Sequence, residues 1–241
     1  MLFKKLGMGS IRKFFWGGDT MELFALFLIY SVFVAALLAV LIKKQYRRFY
    51  VPVKAAASIA FLLAAVYAGI QGSHAMLFSL LPAFFMCFFG DLFLGFHYMI
   101  QKKKLFLAGI LTFLMGHILF LAVFLQIQPL SVWDFLFPVC AIGITAAVTA
   151  KRHMVLGALR PYVYVYSFFV AMLFAKSVHI FLAMPQTGSM MRAAGAGLFL
   201  MSDFLILYLY FYERHPWSTH GWNLALYYYG MFLLAVSQMY C

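Results

Sequence analysis

The sequence predicts an all-α fold, a polytopic membrane helical bundle with eight transmembrane helices. Three observations lead there. Of 241 residues, 66% are hydrophobic and only 10% are charged, whereas soluble domains sit near half apolar and about a quarter charged. The apolar residues fall in runs of about 20, the length a helix needs to cross a hydrocarbon core. The joints between the runs are short and collect the charges, prolines and glycines.

Eight runs can be cut, roughly 21–42, 51–70, 76–100, 105–127, 131–150, 161–184, 191–212 and 220–240. The joints read "KKQYRRFYVP", "QGSH", "QKKK", "QIQP", "KRHMVLGALRP", "PQTGSMMR" and "ERHPWSTHG". Proline and glycine punctuate them as turn residues do. No joint is long enough for a soluble domain, so residues 21–241 are expected to form one transmembrane unit. Residues 1–20 form a basic amphipathic segment, expected to lie at the membrane surface. The apolar run that follows is too long for the core of a signal peptide and ends in "KKQYRR".

The net charge of +12 does not point to nucleic acid, because the basic residues cluster in the joints. Such clusters mark cytoplasmic loops of membrane proteins. Odd joints hold Lys43, Lys44, Arg47 and Arg48, then Lys102, Lys103 and Lys104, then Lys151, Arg152 and Arg160, then Arg214, while even joints hold only Arg192. Odd joints are therefore expected in the cytoplasm of a multi-pass protein, in the cell membrane if the source is bacterial. The N-terminal Lys4, Lys5, Arg12 and Lys13 pull the other way.

Two of the six acidic residues interrupt apolar runs: Asp91 in "FFGDLFLGF" and Asp203 in "LFLMSDFLILY". Each lies eleven residues before a basic joint residue, Lys102 and Arg214. At about 1.5 Å rise per residue, both reach roughly 16 Å inward, near the midplane. His117, in "LMGHILF", reaches a similar depth from Lys104 on a span running the other way. A charge at that depth is costly and normally has a partner or a function. Two carboxyls at one level, if close, would not both ionise, and one acid beside one carboxylate can donate a proton and activate water. The other reading is that each Asp pairs with an intramembrane cation, Lys54 and Lys176 being available. Lys54, one turn inside span 2, either snorkels or meets a phosphate at head-group level. Lys176 lies toward the opposite face and reads as snorkelling outward. Gly90–Asp91 with Tyr98 and Ser202–Asp203 with Tyr210 share one spacing, which suggests a duplicated four-helix unit.

Several chemistries lack their motifs. There is no HxxxH helix pair for zinc, no GxSxG elbow, no phosphate-cradling glycine loop and no haem-attachment motif. Cys87, Cys140 and Cys241 are scattered and read as small apolar residues. No metal and no cofactor is expected.

The segments "GDLFLGF", "FLAGILTFLMGHILFLAVF", "PYVYVYSFFVAM" and "GAGLFLMSDFLILY" follow one another in an order that resembles the lysoplasmalogenase-like family of multispanning membrane proteins. The resemblance covers roughly residues 50–235. It departs at Ala55, where a proline usually follows the lysine, at Phe120, where a tyrosine is usual, and near Gln238, which comes late in the last span. The resemblance implies hydrolysis of the vinyl ether bond of lysoplasmalogens to a fatty aldehyde and a glycerophospho-head-group. It implies Asp91 and Asp203 as the acid/base pair, His117, Ser202 and Tyr166 as hydrogen-bonding support, and Lys54 facing the phosphate. The partners would be a lysophospholipid substrate and membrane lipids. A small proton-coupled carrier is the alternative, since midplane carboxyls and repeats also suit carriers. A carrier should show spans broken at matching positions, but Pro82 of span 3 has no counterpart in span 7.

Overall fold

The computed structural model describes residues 18–150, 154, 156–212 and 218–240. The basic N-terminal segment with Lys4, Lys5, Arg12 and Lys13, and the joint residues Lys151, Arg152 and Arg214, lie outside them.

Eight α-helices are present among the described residues: α1 Gly18–Ile42, α2 Tyr50–Gln71, α3 His74–Ile100, α4 Lys103–Ile127, α5 Trp133–Thr149, α6 Arg160–Ala183, α7 Thr187–Phe211 and α8 Ser218–Val236. Strand-like pairing among these residues is limited to one bridge, Met154 with Tyr212. The boundaries follow local chemistry. Ser73 Oγ accepts from the Met76 amide and starts α3, as N-cap serines do. Gln101, at φ 54°, turns the chain left-handed and ends α3. α6 opens with Pro161, whose missing N–H costs nothing at a helix start. α7 opens with Gln186 and Ser189 bonding each other's backbone reciprocally.

Six helices (α1–α4, α6 and α7) are long and apolar enough to cross a membrane. α5 is apolar but has 17 residues. α8 has 19 and carries His220, Asn223 and three consecutive tyrosines. Its polarity is turned inward, since Tyr227 and Tyr228 are both buried.

Six helices close into a ring. Around it, α2 packs on α3, α3 on α4, α4 on α6, α6 on α7, α7 on α8, and α8 back on α2. α1 lies outside against α2 and α8, and α5 lies outside against α6. Large apolar side chains on these outer helices, such as Ile29, Val32, Leu136 and Ile144, are exposed, which is the surface lipid requires. α7 and α8 cross closely. A methyl added at Gly230 would stand 2.9 Å from the Gly195 carbonyl oxygen, and one at Gly195 would stand 2.8 Å from that of Gly230. Two backbones this close admit only glycine.

At the end of the bundle away from the basic joints, Lys176 is fully buried rather than snorkelling. Its Nζ lies 3.0 Å from Asp134 Oδ2 and donates to the Pro129 carbonyl at 2.6 Å. His179 Nδ1 lies 2.8 Å from Asp134 Oδ1. The cluster ties α5 to α6 and to the preceding turn. The sequence-based expectation for Lys176 fails because Asp134 supplies an anion across the helix interface.

Replacing Gly230 with Val should separate α7 from α8 and cost about 1–3 kcal/mol or more, as overpacking does. A lowered melting temperature in detergent, with reduced yield of monodisperse protein, is the expected result.

Candidate functional site

Asp91 sits near the middle of α3, 1% exposed. Its Oδ1 lies 3.0 Å from Lys54 Nζ of α2. Its Oδ2 accepts from Ser58 Oγ at 2.6 Å and from the Tyr227 hydroxyl of α8 at 2.8 Å. Ser58 stands one helical turn beyond Lys54 on the same face of α2. The Tyr228 hydroxyl lies 3.0 Å from Ser58 Oγ and 3.2 Å from the Lys54 carbonyl oxygen. Both oxygens of Asp91 are thus engaged, by side chains of two neighbouring helices, α2 and α8. Lys54 turns inward to this carboxylate, 5% exposed, rather than outward to the membrane surface.

Asp203, on α7, is 7% exposed. The Tyr166 hydroxyl of α6 donates to Oδ2 at 3.0 Å. His117 Nε2 of α4 lies 3.2 Å from the same oxygen, close enough for an ion pair though not aligned as a hydrogen bond. The histidine ring is held edge-on to Tyr166 and against Phe199. Asp203 Oδ1 has no hydrogen-bond partner among the described residues. Asp203 and Tyr166 line a cavity of about 350 Å³ between α5, α6 and α7, with the first turns of α4 at one end. Its walls are apolar apart from Asp203, Tyr166, Thr145, Ser167 and the Tyr162 hydroxyl. Ile144, Met201 and Phe204 belong both to this lining and to the exposed apolar surface, so the cavity opens sideways, toward lipid.

The two acids are both interior, and each has its own cluster: Asp91 with Lys54, and Asp203 with His117. No hydrogen bond joins the carboxyls among the described residues. The clusters are linked through rings: Tyr227 packs on Phe113 and Phe199, and Phe199 packs on His117. Along the backbone, Cys87 lies one turn before Asp91 and faces Gly116, next to His117. Asp91 is engaged by the Lys54 ammonium, and Asp203 by the His117 imidazole and the Tyr166 hydroxyl. Each of the six ring helices contributes at least one polar side chain to this interior, among them Lys54, Asp91, His117, Tyr166, Asp203 and Tyr227.

Ser202 turns away from Asp203. Its Oγ donates to the Asn223 carbonyl of α8 at 3.1 Å, and Asn223 Nδ2 donates to the Ser202 carbonyl and to its Oγ, both at 2.8 Å. It clamps α7 to α8 one residue from the acid. Three residues of these clusters escaped the sequence reading. Ser58 was visible as the residue four beyond Lys54. Tyr227 was visible as a tyrosine well inside a span rather than at its end. Asn223 carried no distinctive signal.

Against known families, the YhhN family model, which describes the lysoplasmalogenase family, matches residues 49–238. The chain belongs to the YhhN family. The match takes in α2 to α8 and leaves α1 outside it. Neither the curated proteins nor the solved structures gave a match. This family member is a lysoplasmalogenase-like integral membrane protein.

Asp91→Asn leaves the Lys54 ammonium buried against a neutral group. It should cost about 3–5 kcal/mol, the penalty for orphaning one partner of a buried ion pair. Replacing both residues with apolar ones (Lys54→Met with Asp91→Leu) should restore much of the loss. Thermal unfolding of the single and double variants in detergent measures this, and equal melting of Asp91→Asn and wild type would contradict it.

Proposed function

We propose that this chain hydrolyses the vinyl ether bond of a lysoplasmalogen, with Asp203 as the group that acts on the bond. The observation that carries the reading is a buried carboxyl, supported by a histidine and a tyrosine, in the wall of an apolar cavity open to lipid. Family membership supports the substrate class. The lysolipid chain fills the cavity. Its head group lies toward the end formed by Phe106, Leu107, Leu159 and Tyr162, where Lys103, Lys104 and Arg160 are neighbours in sequence.

The overall reaction adds one water to R–CH=CH–O–R′ and yields R–CH₂–CHO and HO–R′. The acid form of Asp203 gives its proton to the β-carbon, and the alkene electron pair becomes the new C–H bond. The positive charge is shared between the α-carbon and the ether oxygen, beside the carboxylate left behind. Water adds to the α-carbon and returns a proton to Asp203. The hemiacetal then collapses: its C–O bond to the glyceryl oxygen breaks, and its hydroxyl proton passes to that oxygen. Tyr166 and His117 hold Oδ2 and orient Oδ1 toward the substrate. General acid catalysis of this kind contributes about 10²–10⁴-fold. Asp91, with both oxygens engaged, keeps Lys54, Ser58 and Tyr227 in place, and Tyr227 backs the Phe199 wall on which His117 rests.

A carrier would need its charged site exposed to each side in turn. Asp91 and Asp203 instead lie within continuous helices, which favours the hydrolase.

Purified protein in detergent, given a 1-alkenyl-lysophospholipid, should release fatty aldehyde. Asp203→Asn, folded as judged by its melting temperature, should lose about 10²–10⁴-fold in rate. A folded Asp203→Asn protein that releases aldehyde as fast as wild type would remove this residue from the chemistry. Tyr166→Phe keeps the ring but deletes one hydrogen bond to a charged group, worth about 1.5–3 kcal/mol. It should slow aldehyde release by roughly 10–100-fold at unchanged KM, and a Tyr166→Phe enzyme of wild-type rate would contradict the orienting role.

A further inference from the structure

The lipid-open cavity raises a question of supply: a hydrolase needs water, and this cavity offers few polar groups to hold it. A second, smaller chamber lies inside the ring at the end of the basic joints. Its volume is about 30 Å³, enough for at least one water molecule, which needs about 10–15 Å³. Lys54, Asn223, His220 and the tyrosines Tyr50, Tyr98 and Tyr210 line it, with apolar Leu94, Leu209 and Leu224. Tyr98 and Tyr210 each stand seven residues beyond an interior acid and meet here, so α3 and α7 are in register. Arg47, with its guanidinium 5.0 Å from the Tyr98 ring centre, marks the basic end.

This chamber touches both acid clusters. Lys54 is the partner of Asp91. Asn223 holds Ser202, the neighbour of Asp203. Ile206, one turn beyond Asp203 on α7, is the one residue common to the linings of the chamber and the large cavity. Ile206 therefore borders both a small polar space near the basic end and the apolar space where Asp203 sits.

We propose that this chamber is the water site of the protein, and that it passes the hydrolytic water past Ile206 to the Asp203 cavity. The inference rests on the hydrolase reading for its last step, the addition of water to the α-carbon, but not for the chamber itself. The chamber selects by size and polarity. It suits water on an ammonium, an amide and phenolic hydroxyls, and it is too small for a phosphate, so it does not receive the lipid head group. Substrate and water then reach Asp203 from different sides, one through lipid and one from the basic end.

Two measurements test this. The first is independent of activity. In protein carrying Cys87→Ala, Cys140→Ser and Cys241→Ser, a thiol is placed in the chamber by Leu209→Cys or in the large cavity by Leu200→Cys. A small hydrophilic thiosulfonate should label Leu209→Cys and spare Leu200→Cys. No labelling at Leu209→Cys would overturn the aqueous chamber. The second is kinetic. Leu224→Phe fills the chamber from a wall the large cavity does not share, and should lower kcat by about tenfold with KM within about twofold. Leu200→Trp, in the large cavity, should instead raise KM. A folded Leu224→Phe enzyme with wild-type kcat, or one altered only in KM, would overturn water delivery. If wild type releases no aldehyde, the hydrolase reading falls and delivery with it, while a labelled Leu209→Cys would leave the water site standing.

Discussion

A carboxyl enclosed by helices in a membrane needs a polar partner, and this constraint organises the whole interior. Among the described residues three acids are buried, and each is met from another helix: Asp91 by Lys54, Asp203 by His117, and Asp134 by Lys176 with His179. The pairs join α2 to α3, α4 to α7, and α5 to α6. Burying such pairs adds little net stability, because desolvation offsets much of the attraction. What they do enforce is neighbourhood. A ring in which α4 moved away from α7 would take a partner from Asp203, so the arrangement of helices and the placement of acids determine each other.

The pairs differ in how completely the protein satisfies them, and on the proposed reading that difference separates their roles. Asp91 has an ammonium on one oxygen and two hydroxyl donors on the other, and it meets neither cavity. Asp203 has its contacts on one oxygen only and stands in a cavity wall. A carboxyl whose hydrogen-bonding capacity is used up is a structural anchor. A carboxyl with an oxygen to spare beside open space is placed to act on something that enters it. Two acids that look equivalent in sequence, each after a small residue and eleven positions from a basic joint, are made unequal by their surroundings.

Much of the fold was legible because lipid imposes length and apolarity on each span, and joints need charge and turn residues. The spans read from sequence lie within a few residues of the observed helices; for example 105–127 against Lys103–Ile127. Asp91, Asp203 and His117 were legible as polar groups at midplane depth, and Tyr166 only through the family resemblance. Partner choice was not legible, because it depends on which helices are neighbours around the ring. Lys54 reads as a head-group contact until α3 is set beside α2. Lys176 reads as a snorkelling side chain until α5 is folded back on α6. Ser202 reads as support for Asp203, yet the α7–α8 crossing at Gly195 and Gly230 turns it to Asn223. Nor does hydropathy place α5 outside the ring, where its gap from α7 makes the cavity.

The position of α5 bears on why the proposed chemistry would belong in the membrane. Among the described residues α5 packs chiefly on α6, so the space between it and α7 stays open to lipid while the ring behind it stays closed. An amphipathic lipid can enter such a space sideways, moving its chain from one apolar medium to another at little desolvation cost. Its polar end stays near the basic joints, where its charge is least costly. Water has the opposite requirement and is favoured only where an ammonium, an amide and phenolic hydroxyls gather, on the far side of Ile206. On the proposed reading, the reactive cation formed beside Asp203 meets confined water rather than bulk solvent. The ring wall that makes the acids costly to bury is then also what meters the nucleophile.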